Sequence, residues 1–246
     1  MRRKARVVEA RDVGPYRWLA CESPGPSPRP GQFYMLATVE RWGGGEAERP
    51  FLPRAFSYLR AAGDRLEFLW EDVGPGTRRL SELRPGEELW LLGPLGNGFE
   101  HDRRPLLVGG GIGIVPLACW QDELGDVPVL LGFRDAHHAA AAELMRDPQI
   151  ATDDGSRGHR GFVTELLAAE LEMEDVTVYA CGPPPMLETV RAICAERDVP
   201  AQLALEAGMA CGFGACFGCV VPTRDGYVRL CVDGPVLQAA ALEGVR

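Results

Sequence analysis

The chain has 246 residues, of which 46% are hydrophobic and 25% charged, and its formal net charge at pH 7 is −9. This composition is that of an ordinary globular protein with room for two compact domains, and the acidic balance argues against nucleic acid or an anionic membrane as a partner. The basic start is not followed by an apolar run, and no stretch is apolar enough to span a bilayer. We therefore expect no signal peptide and a cytoplasmic protein.

Residues 1–101 are predicted to form an antiparallel β-barrel. Short runs of β-forming residues alternate with turns rich in Pro and Gly, such as 23–31 and 42–45. The predicted strands are 5–9, 16–20, 32–38, 55–58, 65–70 and 88–92. One short helix is predicted over 77–83, with Thr77 as a candidate N-cap.

Residues 102–201 are predicted to form an α/β domain. Apolar strands alternate here with helices, a pattern typical of a parallel sheet covered on both faces. The predicted strands are 105–108, 127–133, 149–152 and 176–180. The predicted helices are 114–123, 136–146 capped by Asp135, 163–171 and 185–197.

The remaining segment, 202–246, is rich in Gly and Cys and has too few apolar residues for a core of its own. Its cysteines follow the spacing C-x4-C-x2-C-x11-C, and they are Cys211, Cys216, Cys219 and Cys231. Clustered cysteines in a cytoplasmic chain indicate metal ligands, and the first three match the plant-type pattern of a [2Fe–2S] cluster. The alternatives are structural zinc, which favours a second C-x2-C pair that is missing here, and unrelated thiols. The scattered Cys21, Cys119 and Cys194 are expected to be buried apolar residues.

A cluster that carries one electron at a time needs a flavin to exchange electrons with a hydride carrier. A glycine turn links the strand 105–108 to the next helix, where bare N–H groups and the helix dipole favour a pyrophosphate. The turn consists of Gly109, Gly110, Gly111, Ile112 and Gly113. Because Ile114 takes the place of the third glycine of G-x-G-x-x-G, a tight connection explains the turn equally well.

Two further motifs are candidates for cofactor binding. One follows the strand 176–180, at the edge where parallel sheets bind ligands, although Pro at a helix start is common in any case. Its candidate residues are Cys181, Gly182, Pro183 and Met186. In the barrel segment, Arg54 can clamp a pyrophosphate and Ser57 can bond a flavin ring, although Arg54 alone is equally explained as a solvated strand residue.

Taken in order, these motifs resemble the electron-transfer subunit of class B dihydroorotate dehydrogenase, within the ferredoxin-reductase superfamily, over nearly the whole chain. The matching motifs are Arg54-Ala55-Phe56-Ser57, Gly76-Thr77, 93–99, 109–113, 151–156, 161–164, 181–186, 206–219 and 231–235. Relatives often carry Pro and Ile at Ala55 and Phe56, and this departure affects the packing around the ring.

The resemblance implies FAD in the barrel, with Leu69, Trp70 and Glu71 lining its site, and NADH in the second domain. It implies that the cluster faces a separate FMN-containing catalytic subunit, in a heterotetramer of two of each. The implied function is to relay electrons between that FMN and NAD in pyrimidine biosynthesis, with no dihydroorotate oxidation by this chain alone.

The carboxylates of Asp153 and Asp154 favour NAD, because in NADP-dependent relatives Ser and Arg hold the 2′-phosphate at this position; the nearby Arg157 opposes this. Two alternatives remain. One is the flavin subunit of a related NAD(P)H–ferredoxin or sulfide-linked oxidoreductase. The other is a non-enzymatic metal-binding module on an inactive reductase fold.

Overall fold

The computed structural model describes residues 2–245 except 24, 41, 43–49 and 172–174. Most of the predicted turn at 42–45 and one position of the turn at 23–31 therefore lie outside the described residues. Two seven-stranded sheets and a small hairpin make up the β-structure of the described part. In that part, no helix is both long and apolar enough to cross a membrane.

The first sheet is antiparallel throughout and curls into a barrel. Its strands are β1 (Arg2–Val13), β2 (Tyr16–Glu22), β3 (Phe33–Thr38), β4 (Arg54–Ser57), β5 (Arg60–Ala62), β6 (Arg65–Glu71) and β7 (Glu88–Leu95). Their spatial order is β4-β3-β7-β1-β2-β6-β5. The sheet closes where β4 contacts β6, and there the ring centroids of Phe56 and Trp70 lie 5.4 Å apart. The predicted barrel is confirmed, with β5 as an additional strand.

The helix of the barrel, α1 (Pro75–Ser81), begins two residues before the predicted start, and the N-cap prediction was wrong. Gly74 is the N-cap, because Pro75 is suited by its fixed φ to the first turn. Thr77 lies inside the helix instead. Its Oγ1 accepts hydrogen bonds from the backbone N–H of Val73 at 2.9 Å and of Gly74 at 3.0 Å.

The second sheet has a parallel core with helices on both faces, as predicted. Its parallel strands are β8 (Arg104–Gly110), β9 (Val129–Phe133), β10 (Gln149–Thr152), β11 (His159–Arg160), β12 (Val176–Cys181) and β13 (Ala201–Ala204). Its helices are α2 (Ile114–Leu124), α3 (Val163–Glu170) and α4 (Pro184–Glu196). Leu107 of β8 packs in the core with α2, whereas Leu106 and Val108 pack in the core with α3 and α4.

The Ala-rich helix predicted over 136–146 is instead a 3-10 helix, His138–Leu144. Asp135 does stabilise its start, because Oδ1 accepts a hydrogen bond from the His138 N–H at 2.9 Å. The alanines favour an α-helix by propensity. Three of them are fully buried in the core beside α2, and tertiary packing overrides propensity here.

The cysteine-rich segment leaves the second sheet and returns to it. After β13, the strands β14 (Val220–Thr223) and β15 (Gly226–Arg229) form a hairpin, and β16 (Val236–Gln238) then pairs antiparallel with β13. The sheet order is β11-β10-β9-β8-β12-β13-β16. Leu230 and Leu242 pack in the same core as β8 and β12, so the second sheet supplies the core that this segment lacks.

Candidate functional site

The two glycine-containing loops of the second domain meet at one point of the sheet. The chain leaves β8 towards β9 and later returns on the other side of β8 as β12, so the crevice for ligands lies at the carboxyl ends of these strands. A Cβ on Gly113 would lie 2.2 Å from the Cys181 carbonyl oxygen, and one on Gly110 would lie 2.4 Å from Met186 Sδ. At Gly113 the clash is with backbone atoms, so only glycine permits this approach, and the loops form one floor.

A cavity of about 510 Å³ opens above this floor. The sequence-predicted residues that line it are Glu71, Gly110, Gly111, Ile112, Gly113, Asp153, Gly182, Pro183 and Met186. We name it the nucleotide cavity. Gly109 faces the Leu131 side chain instead, and Cys181 is buried beneath the floor, where burial raises the pKa of its thiol. Asp154 bonds to Ser156, whose hydroxyl donates to Oδ1 at 2.6 Å.

Several lining residues were missed by the sequence analysis. They include Tyr16, Arg134, His138 and Thr189, whereas Phe162, Thr164 and Glu206, which also line the cavity, lie in the motifs 161–164 and 206–219 and had been given no site role. Arg134 and His138 follow the carboxyl end of β9, so the rule for ligand position in parallel sheets could have found them. Arg134 Nη2 lies 3.4 Å from Glu71 Oε1 of the barrel. Arg157 points elsewhere, because its guanidinium donates to the Ala139 carbonyl at 2.8 Å.

The barrel carries a second cavity of about 400 Å³, which we name the flavin cavity. The sequence-predicted residues that line it are Arg54, Ala55, Phe56, Ser57, Leu69, Trp70, Glu71, Thr77 and Ile112. Gly76 is outside this lining but supports it, because a Cβ there would lie 2.4 Å from Arg54 Nε. The Phe56 side chain, at the position that departs from the family pattern, packs against Trp70.

The two cavities share three lining residues: Glu71 from the barrel, Ile112 from the glycine turn and Glu206 from the cysteine-rich segment. Glu206 is solvent-accessible because it borders both cavities. The protein atoms packed around it nevertheless desolvate its carboxyl group and raise its pKa above the ordinary value of 4.5. A carboxyl group with a raised pKa therefore lies where the two cavities join.

Replacing Glu206 with Gln is expected to make the chain increasingly more stable than the wild type as the pH rises above 4.5. A carboxyl group with a raised folded-state pKa stabilises the fold at low pH, and this contribution is lost as the pH rises through that pKa. Urea unfolding at several pH values measures the difference. The matched control is Glu196→Gln on the exposed side of α4. A difference between the Glu206 variant and the wild type that does not change with pH would contradict the prediction.

The four predicted metal ligands lie as two pairs of thiols, Cys211 with Cys216 and Cys219 with Cys231. Burial acts to raise the pKa of Cys211, but backbone N–H groups and the Cys216 thiol lower it to about 6. Burial and the neighbouring Cys219 thiol raise the pKa of Cys231 to about 11. Among the described residues, no three His, Cys, Asp or Glu side chains are arranged to hold one ion.

Backbone N–H groups point at three of these sulfurs. Gly214 N lies 3.1 Å from Cys231 Sγ, Gly218 N lies 3.4 Å from Cys216 Sγ, and Cys231 N lies 3.4 Å from Cys219 Sγ. Two pairs of thiols with N–H donors suit a [2Fe–2S] cluster, in which each iron takes two thiolates. The donor set therefore fits the cluster that the spacing predicts.

The cysteine loop is fastened to the barrel. A Cβ on Gly212 would lie 2.5 Å from Met35 Cγ of β3, so the loop runs directly against that strand. Asn97 Nδ2 donates to the Asp233 carbonyl at 2.8 Å, and Asn97 N donates to the Gly234 carbonyl at 2.6 Å. The motif 93–99 at the end of the barrel therefore binds the motif 231–235 that carries the fourth cysteine.

The three scattered cysteines, Cys21, Cys119 and Cys194, are buried as predicted. Burial raises the pKa of each thiol to about 12, so these side chains stay neutral.

Comparisons with known proteins agree with this architecture. The model of the iron–sulfur cluster binding domain of dihydroorotate dehydrogenase B matches residues 206–243. The dihydroorotate dehydrogenase B (NAD(+)) electron transfer subunit of Caldanaerobacter subterraneus subsp. tengcongensis is 35% identical, with 96% of each chain covered. The same subunit of a Geobacillus species is 40% identical, with 85% of each chain covered.

Solved structures show the same fold. The NADH-dependent reduced ferredoxin–NADP oxidoreductase, studied for flavin-based electron bifurcation, superimposes with a TM-score of 0.82 at 25% identity, over 98% of this chain and 90% of that chain. The ferredoxin reductase of carbazole 1,9a-dioxygenase superimposes with a TM-score of 0.67 at 23% identity, over 81% of this chain and 66% of that chain. Together with its sequence relatives, this places the chain in the family of dihydroorotate dehydrogenase B (NAD(+)) electron transfer subunits.

Proposed function

We propose that the chain relays electrons between NAD and a separate catalytic subunit that oxidises dihydroorotate to orotate in pyrimidine biosynthesis. When bound, FAD would exchange two electrons with NAD as a hydride and single electrons with a [2Fe–2S] cluster, and the cluster would exchange those single electrons with the catalytic subunit. With dihydroorotate as the electron source, NAD⁺ is the final acceptor. The chain has the role of an oxidoreductase subunit whose own residues bind and orient the carriers.

The contiguity of the three sites carries this proposal. Glu71, Ile112 and Glu206 border both the nucleotide cavity and the flavin cavity, so ligands in the two cavities meet there. Met209 lines the flavin cavity, and Cys211 follows two residues later. Two residues span at most about 7 Å of extended chain. The cluster ligands therefore begin immediately beside the flavin cavity.

The chain's own residues have distinct roles in this proposal. Arg54 holds the FAD pyrophosphate, Ser57 bonds the flavin ring, and the buried Trp70 packs beside it. The glycine floor of the nucleotide cavity receives NAD, whose pyrophosphate is bonded by bare N–H groups. Asp153, which lines that cavity, accepts hydrogen bonds from ribose hydroxyls and repels a 2′-phosphate.

Replacing Arg54 with Met is expected to raise the Kd for FAD about tenfold or more. A hydrogen bond to a charged group contributes about 1.5–3 kcal/mol, and each 1.4 kcal/mol is about a factor of ten in affinity. Fluorescence titration of the FAD-depleted chain measures the Kd. Arg54→Lys keeps the charge but loses the planar fork, so an intermediate Kd is expected. Unchanged FAD affinity in both variants would remove Arg54 from the flavin site.

The surface around the cluster supports a docking face for the catalytic subunit. Cys216 is exposed, and three large apolar side chains of the cysteine-bearing segment are exposed as well: Phe213, Phe217 and Val232. Exposed apolar groups of this kind mark protein interaction surfaces. We propose that the partner bound here carries FMN, that the complex is a cytoplasmic heterotetramer of two of each subunit, and that this face is buried in it.

Co-expression with the catalytic subunit of the same organism tests the proposal. We expect the two chains to co-purify with FMN, FAD and iron, and dihydroorotate-dependent reduction of NAD⁺ to require this chain. A second candidate function is that of an NADH–ferredoxin oxidoreductase subunit. The TM-score of 0.82 with the NADH-dependent reduced ferredoxin–NADP oxidoreductase supports it. This candidate predicts rapid ferredoxin reduction by NADH and no dihydroorotate activity, which would refute our assignment.

A further inference from the structure

One arginine spans the loop that holds the cysteines. Arg229 ends β15, two residues before Cys231. Its Nη1 donates to the Gly214 carbonyl at 3.1 Å, and its guanidinium carbon lies 5.1 Å from the centroid of the Phe217 ring. Gly214 lies between the first and second cysteines, and Phe217 lies between the second and third. A single side chain therefore contacts both halves of the loop.

The contact with Gly214 bears directly on a ligand sulfur. The Gly214 carbonyl accepts from Arg229, while the Gly214 N–H donates to Cys231 Sγ at 3.1 Å. Residues 229–231 therefore hold Gly214 both at its carbonyl and at its N–H. Its φ of +88° and the Val232 methyl group, 2.7 Å from a Cβ placed there, restrict the position to glycine. Through the Gly214 carbonyl, Arg229 thus restrains the residue whose N–H donates to a cluster ligand.

Two further contacts hold this arrangement. Phe217 has a φ of +58°, a conformation that is strained for a residue with a large side chain, and the Arg229 guanidinium lies over its ring. The Asp233 carboxylate accepts from the Arg229 backbone N–H at 2.8 Å and lies 3.8 Å from Arg229 Nε. Asp233 therefore holds Arg229 in place while the guanidinium contacts the cysteine loop.

We propose that Arg229 is a positioning residue for the cluster: it aims the Gly214 N–H at Cys231 Sγ and places a positive charge beside the loop, and it thereby raises the reduction potential. Hydrogen bonds to the sulfurs and local charge are both determinants of the potential of such clusters. The inference rests on the proposed function only in that a [2Fe–2S] cluster is bound.

Redox titration of the isolated full-length holoprotein, followed by electron paramagnetic resonance, tests the proposal. In Arg229→Met, the ratio of oxidised to reduced cluster at the wild-type midpoint should rise about tenfold, which is 59 mV for a one-electron couple. Arg229→Lys keeps the charge without the planar fork and should show a smaller shift in the same direction. Arg224→Met removes an exposed charge from the same hairpin and should leave the midpoint unchanged.

A wild-type midpoint in both Arg229 variants would overturn the proposal. If Arg229→Met does not retain the cluster, Arg229→Lys decides: a lowered midpoint supports the proposal and an unchanged one refutes it. The readout needs no partner, so loss of dihydroorotate activity would refute the proposed function alone. A wild-type chain without a [2Fe–2S] signal would refute the cluster assignment itself.

Discussion

Replacing Cys231 with Ala is expected to abolish dihydroorotate-dependent NAD⁺ reduction by the complex while sparing electron transfer from NADH to a small dye. Cys231 is the distant fourth thiol, and it lies beside Cys219 with the Gly214 N–H directed at its sulfur. Loss of a residue that merely supports a metal ligand lowers metal affinity or activity about 10- to 100-fold. Loss of the ligand itself should cost more, so we expect a decrease of at least about 100-fold.

The dye assay separates this effect from misfolding. Dye reduction needs only the nucleotide and flavin cavities, neither of which Cys231 lines. Cys194→Ala is the matched control, because it removes a buried thiol of α4 from the same hydrophobic core. It should retain both activities and the iron. Wild-type iron content and dihydroorotate activity in the Cys231 variant would show that another residue holds the cluster, or that none is needed.

Replacing Gly113 with Ala is expected to destabilise the chain by about 3 kcal/mol and to raise the Kd for NADH at least tenfold. Overpacking of a well-packed site costs about 1–3 kcal/mol, and here the added Cβ meets backbone: the Cys181 carbonyl oxygen at 2.2 Å and the Gly182 nitrogen at 2.6 Å. The φ of Gly113 is −61°, so the effect is steric rather than conformational. The two loops of the floor must separate.

Urea unfolding and the rate of flavin reduction at increasing NADH concentration measure the two effects. Gly208→Ala is the control, because a Cβ there meets no atom within 4 Å and its φ is unexceptional. It should match the wild type in stability. FAD binding should survive in the Gly113 variant, since Gly113 does not line the flavin cavity. If the Gly113→Ala variant binds NADH as tightly as the wild type, the glycine floor is not the nucleotide site.

The features predicted correctly from sequence are local ones. Strand and helix periodicity located the barrel and the parallel sheet, and cysteine spacing located the thiols. Apart from the N-cap of α1, which the neighbouring Pro75 explains, the errors arose where contacts with distant parts of the chain determine the structure. The 3-10 helix His138–Leu144 forms because its alanines pack in a core, and β16 finds its partner β13 across the whole cysteine segment.

The junction of the two cavities was beyond a sequence argument for the same reason. Glu206 was part of a cysteine motif, and nothing in its immediate sequence shows that it borders both cavities. Likewise, Gly109 and Gly113 look alike in the glycine turn. Only the fold distinguishes Gly109, which faces Leu131, from Gly113, which touches the Cys181 carbonyl.

The pairing of β13 with β16 has a consequence for how this segment can vary. Ala204 lies opposite Val236 in the antiparallel register, so residues 205–235 form a closed excursion whose two ends stand side by side. Cα atoms opposite each other in such a pair are about 4.5–5.5 Å apart, a gap that a short turn can bridge. The entropic cost of closing a loop grows only with the logarithm of its length. The excursion can therefore be lengthened or shortened at its hairpin without re-pairing a strand, as long as Glu206, Met209 and Pro235 keep their places in the lining of the flavin cavity.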